Sequence, residues 1–243
     1  MDNQREFLLE RIGSLLRLTI NRPRAANAIN EVVANGIVTG LAQASRSDDI
    51  RAVILTGAGD RVFSAGRDLK NPQNLDLETF NQQRRKELRA YTDALISFEK
   101  PLIVALNGIA MGAGLMLALH ADQVVAAEHS EITLPEIDIG IATFLGHALV
   151  ALLAGDGVAN ELVLTGRRVA APEALQRGLL HSIVASDRLA VEAEACATML
   201  AAKPIETFRE MKSWILKRRR AAVSAALQAH DALDAAKRAA SAV

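Results

Sequence analysis

LIVALNGIAMGAGLMLALH, residues 102–120, places a glycine-rich turn between two apolar runs. The first run, residues 102–106, is short and continuous, which is typical of a strand buried on both faces of a sheet. Residues 108–120 begin with small side chains and then become wholly apolar, so they predict a buried helix whose first turn has no bulky side chains. Backbone N–H groups at such a helix start lack partners within the helix, so this turn is a candidate ligand site.

Two further apolar runs, residues 52–56 and 124–127, repeat the pattern of a short buried strand. Helical segments between such runs indicate parallel crossover connections, so the predicted fold class is α/β. Residues 7–20 alternate around Gly13 and predict a hairpin, and Asn30 is placed to cap a helix that follows it. Shorter helices are predicted at residues 160–164, 172–177 and 189–200.

The chain of 243 residues is long enough for one large domain with a substantial core. The clearest change in composition comes near its end, where residues after Pro204 become alanine-rich, charged and helical in pattern. We therefore divide the chain into a core, residues 1–200, and a C-terminal helical segment, residues 201–243. Within that segment, the basic run of residues 217–220 is predicted to be a solvated helix face.

Composition argues against several classes of partner. Lys plus Arg and Asp plus Glu each number 28, so the net charge of zero does not indicate binding to nucleic acid or to an anionic membrane. Aromatic residues are only 3% of the chain, which leaves few platforms for stacking bases. The first ten residues are charged and contain no long apolar run, so neither a signal peptide nor a membrane anchor is predicted.

Cysteine and histidine usage argues against two kinds of structural site. Cys196 is the only cysteine, which excludes an intrachain disulfide and a cysteine-based metal cluster and fits a reducing cytoplasm. The five histidines show no paired ligand spacing, so no metal site is predicted. We expect a cytoplasmic protein.

A second glycine-containing turn, FSAGRDLK at residues 63–70, follows the run at residues 52–56. It resembles the turn at residues 107–114 in placing glycine and alanine where a strand gives way to a helix. Main-chain N–H groups can approach a ligand closely at both turns. One N–H group from each turn would form an oxyanion hole.

Together these segments resemble the enoyl-CoA hydratase/isomerase, or crotonase, superfamily over nearly the whole chain. The matching motifs are Asn21-Arg22-Pro23 with Ala26-Asn27-Ala28, Ser64-Ala65-Gly66 with Asp68-Leu69-Lys70, Lys100-Pro101 through Asn107-Gly108, Gly112 with Gly114, Leu134-Pro135-Glu136, and Leu164-Thr165-Gly166 followed by Gly178-Leu179. The resemblance implies a spiral of ββα units with a C-terminal helical region. It also implies an acyl-coenzyme A thioester as substrate, with no separate cofactor because coenzyme A is part of that substrate.

By motif position, the resemblance implies that the thioester oxygen accepts hydrogen bonds from the backbone N–H groups of Arg67 and Ala113. It implies that Glu136 is the catalytic acid and base.

The resemblance also implies a coenzyme A site. Arg24 and Lys70 are candidates to meet its phosphates, and the backbone around Ala65 and Asp68 is expected to receive the adenine end. Cations near a phosphate-rich group make electrostatic sense in a chain of zero net charge.

The sequence departs from the family's hydratases at Met116, where they carry a second glutamate. Because a thioether cannot act as a general base, hydration by two glutamates is not expected. A single base suffices to move a double bond, so an enoyl-CoA isomerase is the leading hypothesis. Phe144 occupies the place where some hydrolases, dienoyl isomerases and dehalogenases of the family carry an aspartate.

Other functions stay open. The main alternative is an enoyl-CoA hydratase that uses Glu136 alone or with help from Asp138 or His147. A non-catalytic acyl-CoA-binding protein and an acyl-CoA hydrolase or decarboxylase are further alternatives.

The resemblance implies a homotrimer or a dimer of trimers. Residues 201–243 would then pack on a neighbouring subunit or fold back as a lid over the active site. Residues 71–87 are predicted to be a loop that contributes to the walls of the acyl pocket.

Overall fold

The computed structural model describes residues 5–70 and 75–241. Strands and helices alternate from an N-terminal hairpin to a long C-terminal helix. The strands are β1 (Phe7–Ile12), β2 (Leu15–Ile20), β3 (Ala52–Gly57), β4 (Val62–Ser64), β5 (Leu102–Leu106), β6 (Ile109–Met111), β7 (Gln123–Ala127), β8 (Glu131–Thr133), β9 (Val169–Ala170) and β10 (Ser182–Val184). The helices are α1 (Glu31–Arg46), α2 (Leu77–Ser97), α3 (Ala113–Leu119), α4 (Phe144–Ala154), α5 (Asp156–Thr165), α6 (Ala171–Gln176), α7 (Leu189–Ala201) and α8 (Ile205–Ser241).

The larger sheet has six strands in the order β1-β2-β3-β5-β7-β10. Its first two strands form the predicted antiparallel hairpin, and every later pair is parallel. All residues of β5 and nearly all of β3 are buried, as the continuous apolar runs predicted. The α/β class is confirmed.

A smaller sheet has four strands in the order β4-β6-β8-β9. Its strand β6 falls inside residues 108–120, so the prediction of a helix over that whole stretch was wrong. Gly108 lies against the backbone of Arg61, and the Ile109 N–H donates to the Arg61 carbonyl at 3.0 Å. A strand this short gives no detectable periodicity in the sequence.

Helix α1 begins as predicted. The Asn30 side chain accepts a hydrogen bond from the Val33 N–H at 3.0 Å, which satisfies a donor of the first turn. Val33, Ile37, Leu41 and Ala44 are buried against the sheet at helical spacing. The predicted helices at residues 160–164, 172–177 and 189–200 are also confirmed, as α5, α6 and α7.

The prediction of a loop at residues 71–87 was wrong from Leu77 onwards, where helix α2 begins. Residues 71–74 lie outside the described part of the chain. Asp76 caps the helix by accepting the Thr79 N–H at 2.9 Å. The polar composition hid the apolar face that carries Tyr91 and Leu95, both 2% exposed.

The C-terminal segment is one long helix, α8, that returns over its own chain to pack on α4 and α2. Arg85 and Arg89 of α2 pair with Asp234 and Asp231 of α8, with N–O distances of 2.6 Å and 2.7 Å. Helix α8 therefore packs on its own chain, while its role as a lid or subunit contact and the division at residue 200 stay predictions. Within the described residues, no helix has the length and apolar character needed to cross a membrane.

Three cations hold α8 in place. Lys212 donates to the Lys100 carbonyl at 2.5 Å and to the Asp122 carboxylate at 2.8 Å. Arg219 donates to the His120 carbonyl at 2.6 Å, and Arg220 donates to a carbonyl near the end of α2. The prediction of a solvated basic face was therefore wrong for residues 219 and 220, because their guanidinium groups satisfy carbonyls at or near the ends of other helices.

Replacing the buried ammonium tests this anchor. Lys212→Met leaves the Asp122 carboxylate without its cation, so we expect the free energy of unfolding to fall by about 3 kcal/mol in urea titrations. Lys217→Met, at an exposed site on the same helix, is the matched control and should change it by less than about 0.5 kcal/mol. Equal effects of the two substitutions would contradict the anchoring role.

Candidate active site

The turn after β4 brings its backbone against the segment between β6 and α3. Gly66 has a φ of +86°, and a side-chain carbon there would lie 2.8 Å from the Met111 carbonyl oxygen and 3.1 Å from the Ala113 nitrogen. Only glycine permits both this conformation and this approach. Residues 65–67 therefore lie directly beside the start of α3.

Glycines on the other segment permit the same contact. Gly112 has a φ of +53° and donates its N–H to the Thr133 carbonyl at 3.0 Å. Gly114 packs so closely that a side-chain carbon would overlap the carbonyl oxygen of Ser64. The two turns predicted from sequence to act together are thus in contact.

The backbone N–H groups of Arg67 and Ala113 both lack an acceptor within residues 5–70 and 75–241. Their neighbours are paired: Ile29 donates to Gly66 and accepts from Asp68, at 2.8 Å and 2.9 Å. Unpaired backbone donors at a partly buried site are uncommon and point to a ligand acceptor. These are the donors that the sequence motifs predicted for an oxyanion hole.

A buried asparagine fixes the first turn. Asn27 is fully buried, and its amide donates to the carbonyls of Ala58 and Val62 at 2.9 Å and 2.7 Å. The Ser64 hydroxyl donates to the Asn27 carbonyl at 2.8 Å. The role of Asn27 was missed at the sequence level, although its motif was noted, because its side-chain partners lie far along the chain.

Glu136 lies beside this pair of turns. It follows Leu134 and Pro135 in a short 3-10 helix, and one carboxylate oxygen, Oε1, is 3.0 Å from where a Gly112 side-chain carbon would be. The Thr143 hydroxyl approaches Oε1 at 3.5 Å, whereas Oε2 is buried and has no hydrogen-bond partner among the described residues. The carboxyl therefore lies beside Gly112, the residue before Ala113, with one oxygen unengaged.

Burial raises the pKa of Glu136 above its ordinary value, and this effect outweighs the hydrogen bonds from its own backbone N–H and from Thr143. A carboxylate with a raised pKa is a stronger base than one in water. Such a group is suited to taking and returning a proton.

Met116, one turn into α3, is 6% exposed and belongs to the hydrophobic core. His120 lies one turn further on, where Nδ1 hydrogen-bonds to the Met116 carbonyl at 2.6 Å. Burial lowers the pKa of His120 to about 4, so its ring is neutral at physiological pH. This helix therefore contributes apolar packing and no ionised group.

The predicted coenzyme A residues fall into two groups. Arg24 and Lys70 are exposed near the first turn and remain candidates for phosphate contacts. The Ala65 N–H donates to the Ala26 carbonyl at 2.9 Å, so it helps to hold the turn.

Asp68 is mostly buried and paired with Arg22, whose Nη1 lies 2.8 Å from the carboxylate. Burial opposes ionisation of Asp68, but hydrogen bonds from the Lys70 N–H and from Arg22 lower its pKa. Asp68 therefore has a clear structural role, and its contact with adenine stays a prediction.

The two auxiliary candidates lie in other surroundings. His147 hydrogen-bonds through Nε2 to the Asn160 side chain at 2.9 Å, on the face of α4 that meets α5. Asp138 is exposed, and its carboxylate lies close to Gly166. Neither residue has a described contact with Glu136, so the geometry gives their catalytic role no support.

Two glycines at equivalent helix positions test the close approach. Gly114 and Gly157 are each the second residue of a helix, but a side-chain carbon at Gly157 would meet nothing within 4 Å. We expect Gly114→Ala to lower the free energy of unfolding by about 2 kcal/mol through overpacking. Gly157→Ala should raise it by about 0.5 kcal/mol, because alanine favours the helix. Urea titration measures both, and a Gly114→Ala protein as stable as wild type would contradict the proposed contact.

The raised pKa of Glu136 has a consequence for stability. Below the ordinary carboxyl value of 4.5, folded and unfolded chains are both protonated at this residue. As the pH rises through the raised folded pKa, ionisation costs the folded state more than the unfolded state, so stability falls. Glu136→Gln should therefore be more stable than wild type at pH 8, with a difference that shrinks towards pH 4.5. A pH-independent difference in urea titrations would rule out this burial effect.

Comparisons with known proteins identify the family. The family model described as enoyl-CoA hydratase/isomerase matches residues 10–239. A 2,3-dehydroadipyl-CoA hydratase of Escherichia coli strain K12 is 38% identical over 183 residues, covering 75% of this chain and 70% of the relative. A short-chain-enoyl-CoA hydratase of Clostridium acetobutylicum is 32% identical over 197 residues, covering 79% of this chain and 74% of the relative.

Solved structures show the same fold. The crystal structure of an enoyl-CoA hydratase from Bacillus anthracis superposes with a TM-score of 0.81 and 28% identity, covering 96% of this chain and 95% of that one. The crotonase-like architecture predicted from the motifs is confirmed. The chain belongs to the enoyl-CoA hydratase/isomerase family.

Proposed function

We propose that this enzyme is an enoyl-CoA isomerase in which Glu136 is the single acid and base. The thioester oxygen accepts hydrogen bonds from the N–H groups of Arg67 and Ala113. The Glu136 carboxylate takes a proton from C2 of a 3-enoyl thioester, and the electrons of the C–H bond form a dienolate. The same carboxyl then returns the proton to C4, which leaves the double bond between C2 and C3.

The observation that supports isomerisation over hydration is the buried thioether of Met116 on the helix that follows Ala113. Hydration by two carboxylates needs one to activate water and another to protonate the neighbouring carbon. Within the described residues, the side-chain hydrogen bond of Glu136 is with the Thr143 hydroxyl, and none joins it to a second carboxyl. A proton shuttle between two carbons of one substrate needs only one such group.

The unpaired N–H groups of Arg67 and Ala113 stabilise the intermediate. A dienolate carries negative charge on the thioester oxygen, and donors already held in place stabilise that charge without reorganising. Because the donors are main-chain groups, the identities of Arg67 and Ala113 do not impair them. Loss of one such donor typically lowers the rate about 100-fold or more.

Hydration remains the second candidate because several similar proteins carry that name. The relatives from Escherichia coli and Clostridium acetobutylicum are both named hydratases. Glu136 alone would then have to serve both the water and the carbon, or a rearranged Asp138 or His147 would have to assist.

Assembly as a homotrimer or a dimer of trimers is also a proposal. It is supported by an apolar patch on α8, where Met211, Trp214 and Ile215 are all more than half exposed. Exposed apolar clusters of this kind are typical of contacts between proteins.

A panel of 3-enoyl, 2-enoyl and 3-hydroxyacyl coenzyme A thioesters tests the reaction. We expect wild-type protein to convert 3-enoyl to 2-enoyl thioesters with no change of mass, as followed by mass spectrometry and by double-bond position. Glu136→Gln should lower that turnover by about 100- to 10,000-fold while thioester binding persists. Glu128→Gln, at an exposed site, should turn over like wild type.

Several outcomes would contradict the proposal. Unchanged turnover in Glu136→Gln would remove Glu136 from its role. Gain or loss of one water molecule would indicate hydratase activity, release of free coenzyme A would indicate hydrolysis, and release of carbon dioxide would indicate decarboxylation. Binding of every thioester without any turnover would favour a non-catalytic acyl-CoA-binding protein.

A further inference from the structure

Two arginines beside the candidate oxyanion hole have no counter-ion. Within residues 5–70 and 75–241, the side chains of Arg67 and Arg84 form no salt bridge and no hydrogen bond, and the Arg84 Nε atom is buried without a partner. Arg85 and Arg89, on the same helix as Arg84, are both paired with aspartates of α8. Arg84 therefore differs from these two paired arginines of the same helix.

The charge of Arg67 disfavours the charged form of Arg84. Burial and, to a smaller extent, the Arg67 cation lower the pKa of Arg84 to about 10. Burial also lowers the pKa of Arg67. The Glu87 carboxyl raises the pKa of both arginines, but it forms no salt bridge within the described residues, and burial raises its own pKa. Two partly buried cations that form no salt bridge favour an anionic ligand as their partner.

A buried hydroxyl group belongs to the same cluster. Tyr91 is 2% exposed, and its hydroxyl oxygen has no hydrogen-bond partner among the described residues. Burial raises the pKa of Tyr91, so the hydroxyl keeps its proton and can donate it. Electrostatic effects of Tyr91 reach both Arg67 and Arg84. An interior donor of this kind without an acceptor requires an explanation.

The cluster adjoins the candidate oxyanion hole through Arg67. Arg67 provides one N–H donor, and the charge of its side chain also lowers the pKa of His230 on α8. The His230 ring packs on Phe144 with 4.9 Å between centroids. Phe144 follows Thr143, which contacts Glu136. The start of α4 therefore connects Glu136 to His230 of α8.

We propose, on the basis of the acyl-CoA function above, that the substrate's acyl group ends in a carboxylate that binds Arg84, Arg67 and the Tyr91 hydroxyl. A guanidinium group matches a carboxylate through two parallel hydrogen bonds, and a phenol adds a third donor. Phosphates of coenzyme A share the anionic chemistry, but the exposed cations Arg24 and Lys70 lie nearer to solvent, where a phosphate-rich tail would be expected. The buried hydroxyl favours a small interior anion over a solvated diphosphate.

Saturated thioesters separate this proposal from catalysis because they bind without reacting. Isothermal titration of wild-type protein with adipyl-CoA and hexanoyl-CoA should show a preference for adipyl-CoA of about 10- to 100-fold. Arg84→Met should reduce that preference to about threefold or less by weakening adipyl-CoA binding alone. Arg89→Met, on the same helix but paired with Asp231, is the matched control and should keep the full preference.

A second variant tests the proposal independently if Arg84→Met does not fold. Tyr91→Phe removes only the buried hydroxyl, and we expect it to lower the preference for adipyl-CoA several-fold with hexanoyl-CoA binding unchanged. Equal affinity of wild type for the two thioesters would overturn the proposal. Equal weakening of both by Arg84→Met would assign the cations to a coenzyme A phosphate instead, and the corresponding 3′-dephospho thioesters would then be insensitive to the substitution. Failure of wild type to bind either thioester would overturn the acyl-CoA function itself.

Discussion

The candidate active site depends on one backbone contact, the approach of residues 64–67 to residues 111–114. Side-chain carbons at Gly66 or Gly114 would collide with the opposite backbone, so this contact exists only because both positions are glycine. The contact places two N–H groups without acceptors on neighbouring turns. The sheets serve this arrangement because β4, β6 and β8 carry Ser64, Met111 and the approach to Glu136 as parallel neighbours.

The second constraint is the apolar environment around the carboxyl. Met116 and the rest of α3 are buried, so Glu136 lies against a helix that provides no charge to oppose or support it. This burial raises the Glu136 pKa. Burying this carboxyl lowers the stability of the folded chain, and the same burial makes the carboxylate a better base.

Much of the fold and of the candidate site could be predicted from sequence because it depends on short, local sequence patterns. Short apolar runs predicted β3, β5 and β7, and Asn30 predicted the start of α1. The family resemblance of the two glycine motifs implied that the N–H groups of residues 67 and 113 would serve one site. The failures have physical reasons as well. The charged sequence of α2 concealed a narrow buried face at Tyr91 and Leu95, and β6 was too short to show a period of two.

Long-range pairing was the part that sequence could not provide. Arg219 appears in the sequence as one of several adjacent basic residues, yet its partner is the His120 carbonyl, 99 residues away. Arg67 was likewise assigned a role through its backbone, and only the folded chain brings its side chain near Arg84 and Tyr91. Such contacts are set by topology, which no local pattern records.

The central claim is that the N–H groups of Arg67 and Ala113 bind one thioester oxygen. Isotope-edited infrared spectroscopy of a saturated acyl-CoA with a ¹³C-labelled carbonyl measures this interaction directly, because hydrogen bonding weakens the C=O bond and lowers its stretching frequency. The account predicts a clear shift to lower frequency when the thioester binds, retained in Glu136→Gln, which leaves both donors in place. A bound thioester whose carbonyl frequency matches that of the free ligand in a non-hydrogen-bonding solvent would contradict it.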